Sequence, residues 1–153
     1  MKLLHASSVA RGDDAVLLLG PSGSGKSDLV LRLMHAGWSL VADDQVALRA
    51  EAGELRPEAP APIAGLLEVR GLGLFGPFPC AAAPVLRLVA RLLPRAEVTR
   101  LPEPEAWCAE GVSLPAIRLH AFDASATAKL ALALDAVLGR VAQTAGAFAK
   151  GMK

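Results

Sequence analysis

The chain has 153 residues, of which 53% are hydrophobic and 20% are charged, and its formal net charge at pH 7 is +1. This length fits one domain, and a composition this apolar excludes a disordered chain. The near-neutral charge argues against a general nucleic-acid binder, which usually carries a basic excess.

Neither a membrane span nor a secretory leader is expected. The chain has no uncharged apolar stretch of about 18 residues, and His5, Ser7 and Ser8 interrupt the apolar character of the first ten residues. Two cysteines, Cys80 and Cys108, are too few for a disulfide framework or a four-thiolate zinc site. We therefore expect reduced, buried thiols in a cytoplasmic protein.

The first third of the chain predicts a strand–loop–helix–strand unit. Residues 15–19 form a short apolar run that suits a buried strand, and residues 25–36 place apolar side chains on one helical face. Gly37 is placed to end that helix. Residues 38–42 form a second apolar run, and a unit of this kind implies parallel strands.

The rest of the chain gives weaker structural signals. Residues 76–84 contain three prolines and predict a loop or an edge. Residues 85–93 fit a strand or a helix, and periodicity does not decide between them. Residues 125–138 predict an amphipathic helix ended by Gly139, and residues 140–153 predict a frayed tail.

A phosphate-binding loop follows the first predicted strand. The pattern G-x-x-x-x-G-K-[ST] is matched by Gly20, Pro21, Ser22, Gly23, Ser24, Gly25, Lys26 and Ser27. Glycines let backbone N–H groups converge on phosphate oxygens, and the helix that starts near Gly25 adds its positive end. We expect Lys26 to reach the β- and γ-phosphates and the Ser27 hydroxyl to bind Mg²⁺.

Carboxylates follow the second predicted strand and recur near the middle of the chain. Asp43 and Asp44 fall at the end of a strand, where open sheets bind their ligands. One carboxylate there can hold Mg²⁺ and the other can take a proton from a hydroxyl nucleophile, although a plain acidic turn is the alternative. Glu68 and Arg70, beside two glycines, fit a third wall of a phosphate site and a polar edge strand equally well.

The histidines and single arginines are less informative. His5 titrates near neutrality and can partner a base, but by residue type alone a surface or capping role is favoured. His35 and His120 have no special context and are interpreted as structural. Arg70 and Arg118 are candidates for a bidentate phosphate clamp.

Three segments together resemble a known family. The phosphate loop 20–27, the Leu-Val-Ala-Asp-Asp stretch at 40–44 and the Glu-x-Arg-Gly-x-Gly pattern within 67–73 resemble the catalytic domain of HPr kinase/phosphorylase, clearly over residues 1–93. The resemblance implies a short form that consists of the C-terminal catalytic domain only. It also implies one α/β domain over 1–153, with a P-loop core similar to phosphoenolpyruvate carboxykinase, a mixed sheet, flanking helices and a homo-oligomer, as in the hexamers of this family.

The same resemblance implies an activity and assigns roles. ATP, with Mg²⁺, would phosphorylate a serine of the phosphocarrier HPr or of its nitrogen-branch paralogue, and inorganic phosphate would reverse the reaction. Asp43 would be the base, His5 would sit against it and tune it, and Lys26 would act on the phosphates. Mg²⁺ would be held by Ser27, Asp44 and Glu68. Neither nucleic acid nor a membrane is an expected partner.

Two other classes of function stay open. A small-molecule kinase would need a lid, usually rich in arginine, and residues 94–110 contain only Arg95 and Arg100. A nucleotide-binding switch would use phosphate occupancy to order a loop without chemistry. Longer members of the family also carry a region rich in arginine and glycine, where residues 113–122 of this chain contain Arg118 alone.

Overall fold

Two α-helices and eleven strands make up the described part of the chain, residues 1–149 of a computed structural model. In chain order these elements are β1 (Lys2–Leu4), β2 (Ser7–Arg11), β3 (Asp14–Leu19), α1 (Lys26–His35), β4 (Ser39–Ala42), β5 (Val46–Glu51), β6 (Glu54–Glu58), β7 (Leu67–Val69), β8 (Gly73–Phe75), β9 (Val85–Leu92), β10 (Glu105–Ala109), β11 (Val112–Leu119) and α2 (Ala126–Val137).

The central sheet is mixed, as predicted. Its six strands lie in the order β10-β11-β9-β3-β2-β4. Strand β9 pairs in parallel with both β3 and β11, whereas β2 is antiparallel to its two neighbours and β10 is antiparallel to β11.

The predicted strand–helix–strand unit has β2 inserted into it. Strands β3 and β4 run in the same direction, but they are not neighbours because β2 lies between them. The two-residue turn at Gly12 and Asp13 joins β2 directly to β3. Strand β2 therefore fills the edge of β3 at which β4 would otherwise pair. The helix therefore carries the chain over β2. The two strands of the predicted unit do run in the same direction, but the antiparallel strand β2 separates them.

Strand β3 is buried on both faces, which explains its unbroken apolar run. Val16 and Leu18 belong to the core under the two helices. Ala15 and Leu17 belong to a second core, which Leu48 and other side chains of the small sheet β1-β5-β6 complete. The molecule is thus layered as helices, central sheet and small sheet.

Residues 85–93, which the sequence fitted equally well to a strand or a helix, contain strand β9. It is also buried on both sides, with Leu88 and Ala90 in the helix-side core and Val89 in the core under the small sheet. Its neighbour β3 anchors it further through an ion pair of 3.0 Å between Arg87 Nε and Asp14 Oδ1. Because apolar residues of this strand enter both cores, the strand lacks the strict alternation of apolar and polar residues that marks a half-buried strand. Periodicity therefore did not distinguish it from a helix.

Both helices end as predicted, at glycines. Gly37 has φ +99, its N–H donates to the Met34 carbonyl at 3.0 Å, and the Trp38 N–H donates to the Leu33 carbonyl at 3.0 Å. This is the Schellman arrangement, which requires a left-handed residue after the helix. Gly139, with φ +75, follows α2 in the same way.

The cysteines were wrongly expected to be buried. Cys80 lies in the loop after β8 and Cys108 lies on β10, and both are exposed free thiols. Strand β10 is the edge strand of the central sheet and alternates in exposure, so a residue on its outer face is accessible.

The C-terminal segment carries little regular structure. Residues 140–149 contain turns and bends but neither helix nor strand, and the remainder of the predicted frayed tail, 150–153, lies outside the described residues. Among residues 1–149, no helix combines the length and the apolar character that a membrane crossing requires.

Candidate functional site

The phosphate loop joins the end of β3 to the start of α1. Gly25, the residue before the helix, has φ +97, and a Cβ atom there would lie 2.9 Å from the Ala121 Cβ and 3.0 Å from the Phe122 Cζ. Gly23 also has a positive φ, +85. Backbone conformation and close approach therefore both require glycine at Gly25, as the sequence pattern indicated.

Two polar side chains of the loop have donors that an anion could use. Lys26 is almost fully buried, and its Nζ donates to the Gly20 carbonyl at 2.5 Å and to the Pro21 carbonyl at 3.1 Å. The Ser24 Oγ is buried and has no hydrogen-bond partner within the described residues. Unpartnered buried polar groups are rare, and a phosphate oxygen held by the loop would accept from Ser24. The loop therefore fits a phosphate group.

The charge of Lys26 is set by opposing effects. Burial lowers the pKa of the Lys26 ammonium below its ordinary value, while the nearby carboxylates of Asp44 and Asp43 act in the opposite direction. An arriving phosphate would add negative charge and favour the charged lysine further.

Asp43 is the buried member of the acidic pair, with 7% of its surface exposed. Its Oδ1 accepts from the Ser7 Oγ at 2.8 Å, and the Ser27 Oγ lies 2.8 Å from Oδ1 and 3.1 Å from Oδ2. The carboxylate therefore links the phosphate-loop serine to strand β2. Both donors are hydroxyl groups, and their hydrogen bonds satisfy a carboxyl group that is shielded from water.

Asp44 is the accessible member of the pair, and it joins that network through its backbone N–H. It has φ +69, its N–H donates to the Ser7 Oγ at 3.2 Å, and its carbonyl accepts from the Ala6 N–H at 3.1 Å. The His5 Nδ1 lies 3.3 Å from the Asp44 Oδ1. His5 was expected against Asp43, and the structure places it against Asp44 instead.

A cavity of about 380 Å³ lies over the phosphate loop and collects most of the predicted residues. Residues outside the loop and the first turn of α1 contribute its remaining walls, namely Leu31, Asp44, Glu68, Val69, Arg70 and Phe122. Glu68 and Arg70 thus belong to the wall of the cavity over the phosphate loop.

The predicted Mg²⁺ ligands share this cavity without forming a cage. Ser27, Asp44 and Glu68 all line it, yet no group of three or more histidine, cysteine, aspartate or glutamate side chains within residues 1–149 is arranged to hold a metal ion alone. Mg²⁺ in phosphate-transferring sites keeps waters and takes substrate phosphates as ligands beside one or two carboxylates. The residues present fit that kind of site, in which the phosphates complete the coordination.

Other candidates lie elsewhere. The Arg118 Nε donates to Glu105 Oε1 at 2.7 Å between β11 and β10, and Arg118 does not line the cavity. The His120 Nδ1 lies 2.9 Å from the Leu93 carbonyl oxygen, in agreement with its interpretation as structural. Arg118 is therefore not placed to clamp a phosphate bound in the loop.

Two residues of the site were not identified from the sequence. Ser7 connects both aspartates, but a serine within a strand gives no sequence signal. Phe122 lines the cavity although it lies about a hundred residues beyond the loop. The sequence shows only an aromatic residue shortly after the end of β11 at Leu119. The sheet order is needed to see that this position lies beside the phosphate loop.

Two relatives found by comparison with known proteins are both described as HPr kinase/phosphorylase. The chain is 46% identical over 71 residues to the HPr kinase/phosphorylase of Clostridium tetani and 52% identical over 60 residues to that of Bordetella pertussis. These stretches cover 46% and 39% of this chain but only 23% and 20% of the relatives, so the chain spans less than a quarter of their length in the alignments.

A solved structure and a family model extend the likeness. The structure of the Hpr(Ser) kinase/phosphatase from Coxiella burnetii matches with a TM-score of 0.77 over 92% of this chain and 93% of that chain, at 22% identity, which establishes the fold. The model of the HPr Serine kinase C-terminal domain matches residues 2–78, which is half of the chain and includes the phosphate loop, both aspartates and Glu68. The chain therefore belongs to the HPr serine kinase C-terminal domain family.

Proposed function

We propose that this chain is the catalytic domain of an ATP- and Mg²⁺-dependent protein-serine kinase that acts on an HPr-type phosphocarrier, and that inorganic phosphate reverses the reaction. The observation that carries the proposal is the meeting of Lys26, Ser27, Asp44 and Glu68 around one cavity over a phosphate loop. A serine hydroxyl is a weak nucleophile, so a carboxylate base beside a held phosphate is the equipment that this transfer requires.

The two aspartates divide the work according to their surroundings. Asp44 has a side chain that is 67% exposed and lies next to His5, so it can meet a hydroxyl brought by another protein and accept its proton. Asp43 is buried, does not line the cavity and already binds Ser7 and Ser27, so it is placed to orient the Ser27 hydroxyl. This assignment moves the role of base, which the family resemblance implied for Asp43, to Asp44, and it leaves Asp43 to orient Ser27.

The remaining residues hold and neutralise the phosphates. The loop backbone, the positive end of α1 and Lys26 bind the β- and γ-phosphates. Ser27, supported by Asp43, and Glu68 would hold Mg²⁺ together with phosphate oxygens, and the ion supplies charge stabilisation of the transferring group. Most of the rate enhancement then comes from positioning and electrostatic stabilisation.

Kinase assays with variants of the acidic pair test the proposal. The protein is incubated with Mg²⁺, γ-labelled ATP and purified HPr-type carriers, each also prepared with its target serine replaced by alanine. We expect label on the serine-containing carrier only. Asp44→Asn should abolish labelling while ATP binding persists, whereas Asp43→Asn should weaken binding of Mg²⁺·ATP. Asp13→Asn, an exposed acid in the β2–β3 turn, is the matched control and should behave as wild type.

The outcomes separate the alternatives. Labelling retained in Asp44→Asn and lost, without loss of ATP binding, in Asp43→Asn would restore Asp43 as the base. Tight ATP binding with no label on any carrier would refute the protein kinase and favour a small-molecule acceptor or a switch. Adding inorganic phosphate to labelled carrier should release the label if the reaction reverses.

The cellular setting is part of the same proposal. We expect a cytoplasmic homo-oligomer, a hexamer by family likeness, with HPr or its nitrogen-branch paralogue as acceptor and with residues 1–153 acting as one catalytic domain. Light scattering coupled to size-exclusion chromatography gives the number of subunits, and a monomer at assay concentration would contradict the oligomer.

A further inference from the structure

We propose that the loop between β11 and α2 is the platform on which the base of the donor nucleotide stacks, with Phe122 as the stacking ring. This inference rests on the proposed nucleotide site and adds to it the residue that recognises the nucleoside half of the donor. Phe122 is 56% exposed, lines the phosphate-loop cavity and approaches the loop closely at Gly25. A single exposed apolar side chain is ordinary on a protein surface, so the argument rests on where this ring lies and how it is held.

The ring belongs to a segment that is fixed on several sides. The Arg32 guanidinium of α1 donates to the carbonyls of Ala121 and Asp123, and the Arg95 Nε donates to the Asp123 Oδ1 at 2.9 Å. Turn bonds within the segment join the Asp123 N–H to the His120 carbonyl at 3.2 Å. A loop held in this way presents its exposed ring without an ordering step, which favours binding.

Contacts within the loop leave the ring available. The rings of Phe122 and His120 meet at 67° with centroids 5.8 Å apart, so they touch at an angle and are not stacked face to face. The His120 ring is itself held by the Leu93 carbonyl. More than half of the Phe122 surface remains free to pack against a flat partner.

The sheet order gives the direction in which the nucleotide extends. The phosphate loop follows β3, with Asp43 and Asp44 after β4 on one side of it and Phe122 after β11 on the other. The phosphate that is transferred must lie at the acidic end, since the proposed base Asp44 is there. The opposite end of the donor therefore extends toward Phe122. Leu31 also lines this cavity and adds apolar surface to it.

Binding measurements with and without a base on the ligand test this inference. Calorimetric titrations compare Mg²⁺·ATP with Mg²⁺·tripolyphosphate, which carries the phosphates alone, on the wild type and on Phe122→Ala. Base–aromatic stacking predicts about 10-fold weaker binding of ATP to Phe122→Ala and unchanged binding of tripolyphosphate. Phe122→Trp should bind ATP at least as tightly as the wild type. Leu132→Ala, which removes a comparably exposed apolar side chain on α2, should change neither ligand.

Each contrary result has a distinct meaning. Equal ATP affinity in wild type and Phe122→Ala would overturn the platform and leave the nucleotide site intact. Equal loss for ATP and tripolyphosphate would also overturn it, because Phe122 would then act only by supporting Gly25. Failure of the wild type to bind either ligand would refute the phosphate site itself. If Phe122→Ala does not fold, saturation transfer between the base protons of ATP and the Phe122 ring in wild type decides: its presence supports the platform and its absence refutes it.

Discussion

Replacing Ser7 with alanine tests whether one buried hydroxyl positions both acids of the site. The Ser7 side chain is fully buried, and its Oγ donates to Asp43 at 2.8 Å while it accepts from the Asp44 N–H at 3.2 Å. Ser7→Ala therefore removes a donor from a buried carboxylate and an acceptor from a left-handed turn residue. Ser8→Ala is the matched control, since Ser8 is equally buried on the same strand but donates only to the Val16 carbonyl at 2.8 Å.

The two substitutions should differ in magnitude. A hydrogen bond to a charged group contributes about 1.5–3 kcal/mol, and the weaker bond to the Asp44 amide adds about 0.5–1 kcal/mol. Ser7→Ala should therefore lower the free energy of unfolding by about 3 kcal/mol, and Ser8→Ala by about 1 kcal/mol. For a chain of this size these values correspond to decreases in Tm of about 6–12 °C and about 2–4 °C.

Activity separates the two variants further. Loss of Ser7 frees Asp43 and the turn that holds Asp44, so kcat for carrier phosphorylation should fall about 10- to 100-fold, whereas Ser8→Ala should retain it. Urea denaturation gives the free energies, and labelled-ATP assays well below both Tm values give kcat. Equal destabilisation by the two variants, or wild-type kcat in Ser7→Ala, would refute the reasoning.

Two further predictions concern the phosphate loop and the segment that faces it. Gly25→Ala should abolish nucleotide binding and lower the free energy of unfolding by about 1–3 kcal/mol through backbone strain alone. The reason is that Gly25 has φ +97 and that the new Cβ would lie 2.9 Å from the Ala121 Cβ. Gly12→Ala, with φ +62 in open space, is the control, and calorimetric titration should show that it keeps nucleotide binding. Arg95→Gln should reduce stability at neutral pH, because the hydrogen bond and charge of Arg95 lower the pKa of Asp123. A carboxyl whose pKa is lower in the folded state stabilises the fold at pH values above its unfolded pKa of 3.8. The difference in free energy of unfolding between wild type and Arg95→Gln should therefore vanish as the pH falls through the folded pKa. A difference that grows in acid would contradict this.

The sequence located the phosphate loop and the elements around it because each has a local cause. The apolar run of β3, the face of α1 and the stop at Gly37 depend on neighbouring residues only, and all three lie where they were predicted. Strand β2 was not recognised, since Ser7 and Ser8 break its apolar pattern. Their hydroxyls are satisfied by Asp43 and by a β3 carbonyl, partners that the sequence does not reveal.

Elements that depend on distant partners were missed or left open. The hairpin β10–β11 contains Pro115, which argues against a strand. Pairing of β11 with β9 begins only at Ala116, so the proline lies where no β9 ladder bond is needed. Spacing also could not decide which of two adjacent aspartates meets His5, because His5 is distant from the pair in the chain and meets it only through the fold.

Strand β9 is part of the folded unit but lies beyond the stretch that matches the family model. The family match ends at residue 78, and β9 begins at Val85. Strand β9 fills one whole edge of β3 and supplies side chains such as Leu88 and Val89 to the two cores on either side of the sheet. A fragment cut at the end of the likeness would keep every residue of the phosphate loop and the acidic pair, yet it would expose an unpaired edge at the strand that holds the loop. The phosphate loop and the acidic pair thus lie in the first half of the chain, while a strand of the second half pairs with the strand that holds the loop.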